Sequence, residues 1–313
     1  MNKFIVTTTI QPPTKATLKF AEIPDWTLVI VGDLKTPHDD YYKIQSSKVI
    51  YLSPYFQEDM YPNISNLIGW NTIQRRNIGF IYAYTHGADI VASVDDDNIP
   101  YDNWGKDVRV GQIVNVDVFD TVDGNVFDPM QLTNHKELWH RGFPLSEIKN
   151  SKNKLYYGIQ PRKVLFQADF WNGDPDVDAI CRMIHQPDDL EIKIPMSFTS
   201  NNYMSFNSQN TFIAREALPY YMCLPYVGRV DDIWGGYIAQ YLLNTRPIFM
   251  PATVYQERNE QSIEKNLKDE IFGHINTKRF LDDIEHFEHY LPKETNMAFW
   301  KYRRVFNEDK ENV

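Results

Sequence analysis

The residues able to do chemistry gather at a few places in this 313-residue chain, most densely at Asp95-Asp96-Asp97-Asn98. Adjacent carboxylates repel one another unless a positive charge sits among them. A hard divalent cation accepts oxygen ligands and bridges to phosphate oxygens, so Mn2+ or Mg2+ is the expected cofactor. In a turn at a strand end, Asp95 and Asp97 point the same way and form a D-x-D metal site. Such an ion offsets the negative charge that builds on a departing nucleoside diphosphate. The plainer alternative is an acidic turn capping a helix. A second pair, Asp231-Asp232, stands in Gly228-Arg-Val-Asp-Asp-Ile-Trp-Gly-Gly236. Either Asp could act as general base toward an acceptor hydroxyl or anchor sugar hydroxyls. The alternative is a carboxylate capping the helix that follows. Trp234, with Gly235 and Gly236, suits close approach of a sugar ring, or else helix packing.

Positive and amide groups complete the candidate site. In Gln74-Arg75-Arg76-Asn77, neighbouring helical residues point about 100° apart. One arginine can therefore face a cleft and grip phosphate as a bidentate fork while the other faces solvent. Asp33 is a candidate for the ribose or base, and Thr8 sits at the tip of the first strand. Asn210, in the amide-rich run Asn207-Ser-Gln-Asn-Thr211, could hydrogen-bond sugar hydroxyls, although such runs are also common turns. Arg141, in His140-Arg-Gly142, is a further cleft candidate. The chain has no Ser-His-Asp order, nucleophile elbow, P-loop or G-x-G-x-x-G. That removes the case for a triad hydrolase, a P-loop ATPase or a dinucleotide oxidoreductase. His185 and the other histidines lack metal-site spacing.

The elements that must position these residues follow from periodicity. Phe4–Ile10 is β-branched and runs into Pro12-Pro13, which reads as a buried strand and a loop. Trp26–Val31 and Lys48–Leu52 are further strands. Trp70–His86 sets Ile73, Phe80, Ile81 and Tyr84 near one helical face, with Gly87 as its stop. Asp89–Val94 is then a fourth strand, delivering the acidic triad at its carboxyl end. Strands alternating with helices predict a mostly parallel, doubly wound α/β sheet, whose ligands bind beyond the carboxyl ends of its strands. The stretch 105–225 is loop-rich, with short strands expected at Val114–Phe119 and Lys163–Phe166. In the tail, Ile263, Leu267 and Ile271 mark one helix. Phe280, Leu281, Ile284, Phe287 and Leu291 mark a second, capped at Asn276 or Thr277. The chain divides into a catalytic domain, 1–255, and a C-terminal helical extension, 256–313. Within the domain, 1–104 is the nucleotide-binding half and 105–255 the acceptor-side half.

Composition bounds the function. Hydrophobic residues make up 42% of the chain, enough for a sizeable core. A net charge of -10 and a pI of about 5.3 argue against nucleic acid as a partner. An anionic ligand then needs a local remedy, a metal or a few placed cations. Cys181 and Cys223 read as free thiols in a reducing compartment. No apolar run is long enough to span a membrane, and the strand at Phe4 leaves no room for a leader. Together these predict a cytoplasmic protein.

The ordered segments resemble a known group: the reversibly glycosylated polypeptides with UDP-arabinopyranose mutase, and the related plant STELLO-type glycosyltransferase-like proteins. The resemblance rests on Gln74–Asn77, Val94–Asn98, Arg141-Gly-Phe-Pro144, Phe170–Ala179, Asn207–Asn210 and Gly228–Gly236, in that order. It implies a GT-A fold, a UDP-sugar donor, a Mn2+ or Mg2+ ion at Asp95-Asp96-Asp97, and an active-site place for Asp231 and Asp232. Where the mutases carry a glycosylated arginine, this chain reads Leu145-Ser-Glu-Ile-Lys-Asn150, so the STELLO-like pattern fits better. Where they carry Tyr-His late in the domain, this chain has Tyr255-Gln256. The expected function is metal-dependent transfer from a nucleotide sugar to a glycan, protein or small-molecule acceptor. The alternatives are a UDP-sugar mutase and a non-catalytic scaffold. There is room for a homodimer through the aromatic C-terminal helices.

Overall fold

A computed structural model describes residues 1–257 and 262–308. Its N-terminal half alternates strands and helices: β1 (Lys3–Thr9), α1 (Lys15–Ala21), β2 (Trp26–Gly32), α2 (His38–Ile44), β3 (Val49–Leu52), α3 (Pro54–Met60), α4 (Pro62–Ile68), α5 (Arg76–Thr85) and β4 (Ile90–Val94). The boundaries have local causes. The Thr14 and Ser53 hydroxyls accept the backbone N–H groups of Thr17 and Phe56, capping α1 and α3. Gly87, at φ +78, ends the α5 segment in a conformation glycine adopts without strain. The four strands pair in parallel in the order β3-β2-β1-β4. Helix α5 lies tight on this sheet because residue 79 is glycine. A Cβ there would stand 2.4 Å from Val6 and 2.9 Å from Val31.

The second half is mixed. It comprises β5 (Asn98–Pro100), β6 (Ile113–Thr121), β7 (Val126–Phe127), β8 (Lys154–Lys163), β9 (Phe166–Gly173), α6 (Ala179–His185), β10 (Phe198–Thr199), β11 (Tyr203–Met204), β12 (Asn210–Ala214), α7 (Asp231–Leu243), β13 (Ile248–Gln256), α8 (Ile263–Asp282) and α9 (Lys293–Glu308). Strand β12 enters antiparallel between β4 and β9, and the sheet continues through β13, β10 and β6 to β8 at its far edge. Strand β5 pairs with β13, aligning Asn98 with Gln256. The core runs along both halves, from Ile5, Val29 and Val91 through Phe170 and Phe212 to Trp234 and Phe280.

Two sequence expectations are corrected. Lys163–Phe166 is the turn between β8 and β9, where Val164 bonds back to Gln112. The tail helix does not restart at Asn276 or Thr277. Helix α8 is continuous, Ser262 caps it, and Thr277 donates its hydroxyl to the Gly273 carbonyl within the helix. Ile284–Tyr290 is a 3-10 turn, and α9 is a further helix packed against α4 and α5. The expected extension 256–313 includes 258–261 and 309–313, which lie outside the described residues. No described helix is long and apolar enough to cross a membrane. Both cysteines are free and buried.

Candidate active site

Strand β4 ends in the acidic triad. Asp95, Asp96 and Asp97 are each partly exposed, between fully buried Val94 and Asn98. The turn is braced by the segment leading into β12: Asp95 N–H donates to the Gln209 carbonyl at 3.2 Å and Asn98 Nδ2 donates to the same oxygen at 2.9 Å. Asp95 forms an ion pair through Oδ1 with buried Arg76 at the start of α5. The same guanidinium donates to Ser208 O at 2.8 Å and Ser208 Oγ at 2.6 Å. Burial opposes the charge on Arg76, but Asp95 beside it holds the pKa above its ordinary value. Asp96, in the turn that follows β4, points toward Thr9 instead. Its Oδ2 accepts the Thr9 hydroxyl at 2.5 Å, and burial pushes this carboxyl up. The Asp97 carbonyl accepts Glu257 N–H at 3.0 Å. Gln209 Nε2 reaches both Gln256 Oε1, at 2.5 Å, and Asn98 Oδ1, at 3.2 Å. Gln256, at the place where the resemblance has histidine, therefore stands beside the triad.

Two cavities open beside the triad, and Asp96 lines both. One, of about 220 Å3, is also lined by Thr8, Thr9, Asp33, Lys35 and Thr72. The other, of about 230 Å3, is also lined by Thr14, Lys15, Asp97 and Glu257. Thr8 donates its hydroxyl to the Val31 carbonyl at 2.9 Å. Asp33 accepts backbone N–H groups from Leu34, Asn71 and Thr72 at 2.6, 2.8 and 3.0 Å. Its carboxylate thus ties the tip of β2 to the loop before α5, so it shapes the cavity wall, and both of its oxygens are engaged.

The second carboxylate pair begins α7. Val230 is the residue preceding the helix and supplies no side-chain cap, while Asp232 Oδ1 accepts the first-turn N–H of Ile233 at 2.9 Å. Asp232 is clamped. Arg141 Nη1 and Nη2 lie 3.2 Å from its Oδ1, and Ser208 donates its N–H and hydroxyl to Oδ2 at 2.9 and 3.0 Å. Arg141 also holds Asp176 at 2.8 Å, and Asp176 in turn accepts Asn207 Nδ2 at 2.7 Å. Asp231 accepts Gln74 Nε2 at 2.5 Å, and burial, with Asp232 alongside, pushes its carboxyl up to about 7. Ser208 bonds to both Arg76 and Asp232, so the two acidic groups share one polar network. His140 is buried beside it and donates Nδ1 to the Arg141 carbonyl at 2.8 Å; burial lowers its pKa.

Four expectations are corrected by burial. Arg75 is fully buried facing away from the triad. It donates to Gln57, Ser65 and Gly69 and stacks on Trp70 at 3.7 Å, and burial lowers its pKa to about 10. It therefore locks α4 to the sheet, and no fork is left for phosphate. Trp234 is wholly buried, stacked on Phe280 at 4.2 Å with its Nε1 donated to Thr277, and offers no face to a sugar. Gly235 and Gly236 serve packing, since a Cβ at 235 would lie 1.9 Å from the Met222 carbonyl and one at 236 would lie 2.8 Å from Phe206. Asn210 is likewise interior, donating to the Asp169 and Phe170 carbonyls and to Thr253 and accepting Trp104 Nε1. Ser208, Lys35, Asn71 and Gln256 also reach this region, brought in by strand register and loop contacts that no local sequence pattern marks.

Among the described residues, three carboxylate or histidine ligand atoms converge within 4.8 Å at Asp178–Glu270–His274 and at Asp283–Glu285–His286. In the first, Cys181 and Ala179 N–H groups, Trp139 and Arg229 already donate to the carboxylates, which fasten α8 to α6. The triad is not such a cluster, because Asp96 diverges toward Thr9.

No protein-family model matches the chain. Two proteins of Arabidopsis thaliana are similar to it. Probable glycosyltransferase STELLO2 is 24% identical over 189 residues, covering 57% of this chain and 24% of that protein. Probable glycosyltransferase STELLO1 is 25% identical over the same length, with the same coverage. The chain thus spans about a quarter of the length of these relatives. Among solved structures, glucosyl-3-phosphoglycerate synthase from Mycobacterium tuberculosis, with Mn2+, UDP-glucose and glycerol 3-phosphate, aligns at a TM-score of 0.43 and 10% identity, covering 89% of this chain and 80% of that one. A complex of the same enzyme with phosphoglyceric acid aligns at 0.40 and 9% identity. These superpositions are too loose to carry residue roles across. The parallel order β3-β2-β1-β4, antiparallel β12 beside β4 and the acids at the tip of β4 make an α/β sheet with its acidic cluster at the carboxyl edge of the parallel strands.

Proposed function

We propose that the chain is a glycosyltransferase module that binds a nucleotide-sugar donor, UDP-linked, through Mn2+ or Mg2+ and transfers the sugar to an acceptor hydroxyl. The observation that carries this reading is the setting of Asp95, Asp96 and Asp97 at the carboxyl end of β4, between two cavities that share Asp96. Ligands of open α/β sheets bind beyond that edge. The donor set suits a hard cation: the side-chain groups at the turn are carboxylates and amides, with oxygen donors and no thiol. Asp95 and Asp97 would hold the ion, which neutralises charge on a leaving diphosphate when bound. Arg76 keeps Asp95 in place. Lys35 and Lys15, one in each cavity, are the cations available to an anionic donor.

The two acids of α7 take different parts in this reading. Asp232, held on both oxygens, fixes Arg141 and Ser208. Asp231, with its carboxyl near neutrality, is the base that orients and deprotonates the acceptor. Residues 1–104 form the donor half and 105–255 the acceptor half. Calorimetric titration with UDP, with and without Mn2+, tests the proposal. Metal-dependent heat is expected, and its absence at millimolar UDP, together with no UDP release from UDP-sugars, would sink it.

A further inference from the structure

Between Glu147 and Asp169 the chain carries Lys149, Lys152, Lys154, Arg162 and Lys163 and no carboxylate, although the whole chain has a net charge of -10. This stretch contains β8, the last strand of the 11-stranded sheet, so its outer backbone edge pairs with no strand among the described residues. None of the ten residues of β8 is buried. Pairing sets Lys163 against Ile113, Ile159 against Asp117 and Tyr156 against Phe119. Ile113, Phe119, Tyr156 and Ile159 therefore share one face of the ribbon, with Ile113 74% and Ile159 65% exposed. An edge of this length, flanked by apolar side chains, presents N–H and C=O groups that template pairing with another chain.

At its carboxyl end β8 opens onto a cavity of about 420 Å3, lined by Arg162, Lys163 and Arg246 among others and by no carboxylate residue. Arg246 is fixed there by stacking on Tyr203 at 4.2 Å and by donating to the Asn201, Asn202 and Thr245 carbonyls. Arg162 donates to Asn201 Oδ1 at 2.8 Å, and Lys163 pairs with half-exposed Glu216. Leu243–Thr245, at the end of α7, form part of the wall. At 1.5 Å per residue, that end of the 13-residue helix is about 20 Å from Asp231 at its start.

We infer that β8 is a docking edge for an extended, acidic polypeptide segment, which adds as a further strand and places carboxylates against Arg162 and Arg246, on the face opposite Ile159 and Tyr156. Backbone hydrogen bonds give such a complex its affinity, and alternate side chains give it specificity. The cations choose the partner. A second copy of the chain would bring the same cationic, carboxylate-free stretch 148–168 alongside this one, and like charges across a strand pair are destabilising. Pro161 and the bulge between Tyr156 and Ile159 restrain indiscriminate pairing. This surface is separate from the proposed transferase site and does not depend on it.

The test is fluorescence anisotropy of a labelled peptide of alternating Glu and Val, titrated into the whole protein. Saturable binding is expected, weakened about tenfold or more in the Arg162→Glu/Lys163→Glu variant. A peptide N-methylated at alternate residues keeps the charge and loses the backbone donors, and it should fail to bind to the unaltered protein. No saturable binding, or equal binding of the N-methylated peptide, overturns the proposal. So does equally strong competition by a single-stranded oligonucleotide, which would point to a general polyanion surface. A dimer in sedimentation that dissociates in the double variant would assign the edge to a second copy instead.

Discussion

Asp231 and Asp232 adjoin in sequence and meet different chemistry. Asp232 is paired with Arg141 and bonded by Ser208, whereas Asp231 accepts the Gln74 amide and is pushed toward neutrality by burial and by Asp232 beside it. In the proposed reaction the ionised form of Asp231 is the active one, so turnover should rise with pH through about 7. Asp231→Asn should abolish that limb of the pH–rate profile and cut turnover about 100-fold or more, with UDP binding intact. The metal carboxylates predict the converse pattern. Asp95→Asn with Asp97→Asn should remove the Mn2+-dependent part of UDP binding in calorimetry, and unchanged metal dependence would refute their role. Trp234 separates a sugar platform from a packing residue. Buried against Phe280, its change to Ala should cost about 3–5 kcal/mol in denaturant unfolding. The KM for the donor should stay unaltered in the folded fraction.

At the scale of elements, α7 carries the second acidic pair at one end and packs closely on its neighbours at Gly235 and Gly236. Gly235 is the tightest point, where a Cβ would meet the Met222 carbonyl at 1.9 Å. That atom is backbone and cannot rotate away. Gly235→Ala should therefore lower the melting temperature by the equivalent of about 1–3 kcal/mol, although alanine is the better helix former. An unchanged melting temperature would show that α7 can slide on the 221–224 segment. Helix α8 supports the same element from the other side. Glu270 receives the Ala179 N–H and pairs with Arg229, whose carbonyl accepts Arg141. The tail thereby reaches the clamp on Asp232 through a chain of polar contacts.

For the whole molecule, three buried carboxyls set the pH response. Asp128, Asp169 and Asp231 are each pushed from 3.8 to about 7, chiefly by burial. The folded chain binds these protons more tightly than the unfolded chain, so unfolding releases protons between those values. Stability then falls as pH rises from about 4 through 7. Thermal melts should show a lower midpoint at pH 8 than at pH 5.5. Asp128→Asn and Asp169→Asn should flatten the difference, and a midpoint that rises over this range would contradict it.

What the sequence alone determined is local. The β-branched runs and the Gly87 stop marked β1 to β4, and the acids after Val94 fell at a strand end, because strand period, capping and turn chemistry depend on near neighbours. Tertiary structure decided the rest. Arg75 and Arg76 are indistinguishable in sequence, and only the packing of α5 on the sheet turns Arg76 to Asp95 and buries Arg75 under Trp70. The partners of Asp232 lie 91 and 24 residues away, and Trp234 is covered by a ring from α8. The exposed edge of β8 exists only because the sheet order ends there. Contacts at such separations are set by the order in which strands pair and by which faces helices bury, and no local pattern in the chain specifies them.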